Sequence, residues 1–212
     1  MRLYFVHGWA FGPECFDALA ALLPDWPQVR ADLGFFGPAR TPAFLPGDVL
    51  VGHSAGFGWG LSRRADWAGV VAINAFARFV HGGDGRGCVR PAELRALQKA
   101  FARDPAGCVA AFRARHGGGG GGAPPNVEAL AAGLEFLARW DIFRSVESAG
   151  PFAPTLVLVS EDDDLVPLDA SKNLAQSGGE LALSATGGHG LPWTAPEFCA
   201  ATIGNFLRRH GW

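Results

Sequence analysis

The stretch from Asp48 to Gly56, Asp-Val-Leu-Val-Gly-His-Ser-Ala-Gly, restricts the possible fold more than any other part of the chain. Aliphatic residues run without a break into Gly-His-Ser-Ala-Gly, and the small, helix-tolerant segment Phe57 to Leu61 follows. A buried strand, a turn of one residue and a helix fit that order. Gly52 and Gly56 stand two residues either side of Ser54, where a side chain would collide with the strand–helix crossing. Ser54 is therefore expected in strained backbone, its hydroxyl exposed at the carboxyl edge of a sheet. An incidental serine in a glycine-rich turn is the plainer reading in a chain with 30 glycines, so the rest of the sequence must decide.

Strand and helix patterns alternate on either side of this elbow. Leu3 to Val6 is a short apolar strand ending at His7-Gly8-Trp9, and Pro13 to Leu23 has helical spacing stopped by Pro24. Gln28 to Leu33 is a second strand before the Gly/Pro-rich loop Gly34 to Pro46. The elbow strand is third, and Gly69 to Ala75, with the apolar run Val70 to Ile73, is a central parallel fourth. From Arg78 to about Ile142 only helical stretches occur: Pro91 to Arg103, Pro105 to Arg115 and Asn126 to Trp140. Between them lie six consecutive glycines, Gly117 to Gly122, a low-complexity linker that inside a helical insertion would also serve a lid as its hinge.

The pattern resumes at Thr155 to Ser160, a fifth strand followed by the acidic loop Glu161 to Asp164. Leu168 to Gln176 reads as helix, Glu180 to Ala185 as a sixth strand, and Pro196 to Arg209 as an amphipathic helix. This order implies an α/β domain on a mostly parallel sheet of about six strands, with a helical insertion between strands four and five. The expected organisation is core over 1–77, helical lid over 78–145 and core again over 146–212.

Composition narrows the class. With 49% apolar and 18% charged residues, the chain of 212 residues is expected to be a single globular domain. A net charge of -2 argues against a nucleic-acid or membrane-surface protein. Cys15, Cys88, Cys108 and Cys199 are scattered, form no CxxC pair and read as free thiols in a reducing compartment. No Cys/His cluster has zinc-ligand spacing, so neither metal nor cofactor is expected. Too few apolar residues separate Met1-Arg2 from His7-Gly8 for a signal peptide, and no run approaches the ~18 of a membrane span. A cytoplasmic monomer is expected.

In a parallel sheet, functional groups gather beyond the carboxyl ends of strands. Ser54 follows strand three, the aspartates follow strand five and His189 follows strand six. Serine, acid and histidine in that order can form a nucleophile, a general base and the carboxylate that fixes the base's tautomer. Asp162, Asp163 and Asp164 all remain candidates on position alone. His7 and His53 neighbour the key glycines and read as packing or loop-shaping residues, whereas His81, His116 and His210 read as surface residues. The N–H of Ala55 and of Trp9 would supply two donors for an oxyanion, and the Trp9 indole would wall the acyl pocket.

The motifs Val6-His7-Gly8-Trp9, Gly52-His53-Ser54-Ala55-Gly56, Asp163-Asp164-Leu165-Val166-Pro167 and Gly188-His189 resemble those of the α/β-hydrolase superfamily. More narrowly, the His-Gly-Trp start, the stretch Gly133 to Leu137 and the ending around Pro196-Glu197-Phe198-Cys199 resemble the pimeloyl-acyl-carrier-protein methyl ester carboxylesterases of biotin synthesis. The resemblance implies an α/β-hydrolase fold, with Ser54 as nucleophile, His189 as base and Asp163 as acid. Asp163 is chosen because it opens the Asp-x-x-Val-Pro turn usual in these enzymes, with Asp164 second and Asp162 third. It further implies oxyanion donors at Trp9 and Ala55, and an acyl chain lined by Trp9 and the lid residues Phe112, Arg113, Arg115 and His116. The chain departs from the family in having His53, where tryptophan is typical, and in its glycine run.

From Arg78 to His116 there are eight Lys/Arg and three acidic residues, and Arg95, Lys99 and Arg103 form an i, i+4, i+8 row on one helix face. That row is either a solvated face or a dock for acyl carrier protein. Three functions follow: cleavage of a carrier-bound methyl ester, hydrolysis of small free esters or lactones, and non-catalytic ligand binding. The complete set of Ser54, Asp163 and His189 argues against the third.

Overall fold

The computed structural model describes residues 1–84, 86–117, 123–142, 153–175 and 178–212. Six strands, β1 (Arg2–Val6), β2 (Gln28–Ala31), β3 (Asp48–His53), β4 (Gly69–Ile73), β5 (Thr155–Ser160) and β6 (Glu180–Ser184), form one sheet. Their spatial order is β2-β1-β3-β4-β5-β6 and every pairing is parallel. Strands β1, β3, β4 and β5 are nearly continuous apolar runs because both of their faces are covered.

Side chains alternate between two cores. Leu3, Phe5, Val49, Val51, Val71, Ile73, Leu156 and Leu158 point to one face, where α1 (Asp17–Ala21) and the long α7 (Pro196–Arg209) bury Leu19, Ile203, Phe206 and Leu207. Tyr4, Val6, Leu50, Val70, Ala72, Val157 and Val159 point to the other. That second core takes in Phe57 of α2 (Ala55–Arg63) together with Ala170 and Leu174 of α6 (Leu168–Ala175). At the amino end of the sheet Arg2 donates to both oxygens of the buried Asp48, at 3.0 and 2.7 Å, tying β1 to β3.

Between β4 and β5 run α3 (Pro91–Arg103), α4 (Pro105–Arg115) and α5 (Val127–Arg139). Leu94, Phe101, Val109, Leu130, Leu134 and Leu137 of these helices join the second core. The insertion therefore packs on the domain, and among the described residues it has no separate core. Asp104 caps α4 and Asn126 caps α5, each accepting a backbone N–H from the first turn. Five of the six glycines of the expected hinge, and the 145/146 boundary of the expected lid, lie outside the described residues.

Candidate active site

The elbow has the backbone its sequence requires. β3 ends at His53, Ser54 has φ 54° and ψ -127°, and α2 begins at Ala55. A positive φ at a non-glycine residue is strained and persists only where the surroundings enforce it. The enforcement is close packing: a Cβ on Gly52 would lie 2.3 Å from Phe57 Cα, and one on Gly56 would lie 2.2 Å from the Val6 carbonyl oxygen. α2 thus leans directly on the backbone of β1.

Beyond the strand ends, Ser54, His189 and Asp163 meet. Ser54 Oγ is 3.0 Å from His189 Nε2, and His189 Nδ1 is 2.8 Å from Asp163 Oδ2. Asp163 Oδ1 accepts the N–H groups of Leu165 (2.8 Å) and Val166 (2.9 Å), so its carboxylate is fully engaged in a site where both it and His189 have no exposed side-chain surface. With His189 Nδ1 donating to the Asp163 carboxylate, Nε2 is the acceptor that faces the Ser54 hydroxyl. Asp162 faces elsewhere: its Oδ1 takes the Ser160 hydroxyl and the Gly188 N–H. Asp164 lies outside the relay and contacts Arg115 and His116.

The loop bearing His189 is moored from three strand ends; a loop-shaping role was expected of His53, but not the loop it serves, and Asn74 was not singled out. His53 Nε2 donates to the His189 carbonyl at 2.8 Å; Asn74, just past β4, donates to the carbonyls of Gly188 (2.7 Å) and His189 (3.2 Å). Asn74 Oδ1 in turn accepts the Ser160 N–H, and its φ is 43°. Burial, then the neighbouring His189, holds His53 well below the ordinary imidazole range, so it stays neutral. Its Nδ1 is buried without a hydrogen-bond partner among the described residues.

Ser54 differs from expectation in exposure. It sits at the carboxyl edge but is only 6% exposed, because α3 and α4 roof the sheet there. Under that roof is a chamber of about 570 Å³ lined by Trp9, Ser54, Leu94, Leu97, Phe112 and Leu137, among others. The indole of Trp9 forms edge contacts with Phe112 (4.9 Å) and Phe101 (6.2 Å) and donates to the Leu130 carbonyl at 2.9 Å. Ala55, as the first residue of α2, has an N–H that the helix leaves without an internal partner.

The expected lid residues divide. Phe112, Arg115 and His116 line the chamber. Arg113 does not: it is buried on another face of α4, with its guanidinium 4.6 Å over the Phe36 ring and 3.7 Å from Glu14. A helix turns about 100° per residue, so position 113 points away from the stripe carrying 112 and 116. His116 corrects the surface assignment. It is 6% exposed, its ring stands 5.4 Å from that of His189, and burial followed by His189 pushes it down to about 4. Two contacts hold this end of α4 to the core: Arg115 to Asp164 (2.8 Å) and the Trp193 indole N–H to the Gly117 carbonyl (2.8 Å).

No protein-family model matches the chain. A pimeloyl-[acyl-carrier protein] methyl ester esterase of Aromatoleum aromaticum is 30% identical to it over 246 residues, covering 97% of this chain and 98% of that protein. The chain belongs to this esterase family. A second member, from Xylella fastidiosa, is 29% identical over 199 residues, which cover 88% of this chain. The chain spans 63% of the length of that Xylella relative. Among solved structures, an esterase from Exiguobacterium antarcticum superposes with a TM-score of 0.82 at 15% identity, over 98% of this chain and 92% of that one. The fold is that of the α/β-hydrolases.

Proposed function

We propose that the chain is a serine carboxylesterase that cleaves the methyl ester of a pimeloyl, or similar dicarboxylic acyl, chain held on acyl carrier protein. The observation that carries this reading is the unbroken line of hydrogen bonds from Asp163 through His189 to Ser54, opening on a largely hydrophobic chamber of about 570 Å³. Ser54 Oγ attacks the ester carbonyl carbon while its proton passes to His189 Nε2. The N–H groups of Ala55 and Trp9 stabilise the oxyanion. As the tetrahedral intermediate collapses, the C–O bond to the alcohol breaks and His189 returns the proton to the departing methoxide, releasing methanol. Water then attacks the acyl-enzyme with His189 again as base, freeing the acid and Ser54. Asp163 stabilises the imidazolium in both halves.

The substrate assignment draws on the names of the Aromatoleum and Xylella relatives. It also draws on the exposed row Arg95, Lys99 and Arg103 of α3, for which no carboxylate partner occurs among the described residues, while Arg78, Arg90, Arg113 and Arg115 each contact an acid. In this reading α3 to α5 form a lid whose free cations meet the acidic carrier. The test is turnover of pimeloyl-carrier methyl ester by the intact chain beside Ser54→Ala, with a short p-nitrophenyl ester as second substrate. The reading expects release of methanol from the carrier-bound ester and its loss in the variant. Turnover of the small ester alone would favour a general hydrolase of free esters or lactones.

A further inference from the structure

A second cavity, of about 240 Å³, lies behind the Trp9 indole, on the side facing α5. Its floor is one stripe of α2: Ala55, Trp59 and Arg63 recur every four residues, so it extends along about 12 Å of helix. Small residues Ala129, Ala132 and Gly133 of α5 face that stripe and leave room above it. Trp9 is the partition, since its ring lines both this niche and the chamber holding Ser54. Gly133 stands hard against the indole, its ideal Cβ position 2.6 Å from Trp9 Cδ1.

The outer end of the niche carries one cation. The Arg63 guanidinium is exposed and lies 4.7 Å over the Trp59 ring, with no carboxylate partner among the described residues. The adjacent Arg64, by contrast, is paired with Asp66 at 2.7 Å. A guanidinium held on an indole face and left without a counter-ion, at the mouth of an apolar slot, is complementary to a small amphiphilic anion.

We infer that this niche is a second binding site, distinct from the acyl chamber, for a small apolar monocarboxylate whose carboxylate pairs with Arg63 and whose hydrocarbon end lies along Trp59 towards Trp9 and Ala55. The inner end of the occupant touches the two residues proposed above as oxyanion donors, so occupancy bears on turnover from behind. The binding itself needs no ester chemistry.

The test is calorimetric titration of 4-phenylbutyrate into the Ser54→Ala chain, which retains both cavities and is expected not to turn over. One equivalent of acid is expected to bind. Affinity should fall about tenfold in Ser54→Ala/Arg63→Glu and be lost in Ser54→Ala/Ala132→Phe, where the added ring fills the niche. It should persist in Ser54→Ala/Ala100→Phe, where the added ring narrows the acyl chamber instead. Absence of binding, affinity indifferent to Arg63→Glu, or loss on Ala100→Phe with retention on Ala132→Phe would each overturn the inference. Because the readout is binding, its failure is separable from failure of the esterase reading, which turnover tests.

Discussion

Asp163 and Asp164 are consecutive residues with opposite surroundings. The first has a fully buried carboxylate holding His189 and two backbone N–H groups; the second is half exposed and holds Arg115. Asp163→Asn is expected to cut kcat for a p-nitrophenyl ester by about 10³–10⁴, since an amide no longer fixes the tautomer of the imidazole. Asp164→Asn should cost less than about tenfold. A larger loss at position 164 would reassign the acid. His53 acts at one remove, through the backbone of His189. His53→Phe should lower kcat about tenfold, leave KM within about twofold and displace the pH profile of kcat, which a purely structural defect would not do. The positions of Ser54 and His189 were legible from glycines bracketing a serine and a histidine after predicted strands. Asp163 was separable from its neighbours only through a motif. The roles of His53 and Asn74 in mooring His189 were not legible, because their bonds join residues more than 100 positions apart in the chain and no local pattern encodes them.

Among the elements, the helices of the insertion show where periodicity informs and where it stops. α3 was readable because its apolar positions, including the buried Leu94 and Phe101, oppose a polar row. α4 is nearly without amphipathic contrast, so sequence gave no reason to separate Arg113 from Phe112 and His116. Its rotation was decided by what it meets, with Phe36 and Glu14 on one side and His189 on the other. The free row of α3 carries a prediction of its own. Arg95→Glu/Lys99→Glu should reduce kcat/KM for a carrier-bound ester by about tenfold at low salt and less at high salt, with a small free ester unaffected. Equal loss on both substrates would remove the docking role.

For the molecule as a whole, the parallel order of the sheet was legible in the alternation of strands with helices and in strand runs apolar on both faces. The covering of Ser54 was not, since it depends on how the inserted helices settle. That covering has a thermodynamic signature. His116 is held down to about 4 and His53 well below the ordinary value of 6.5, each by burial first and by His189 next. Between those values the unfolded chain binds protons that the folded chain refuses. The contribution of these groups to stability is thus complete above about pH 6.5 and is lost as pH falls towards about 4. The thermal midpoint should drop between about pH 7 and pH 5, and less steeply in His116→Gln. A flat midpoint, or an unchanged slope in the variant, would contradict that account.

The hydrogen bonds that moor the His189 loop come from the ends of β3, β4 and β5, and among the described residues none comes from the inserted helices. The histidine loop is thus carried by the sheet itself. The frame that sets the fold is also the frame that sets the imidazole.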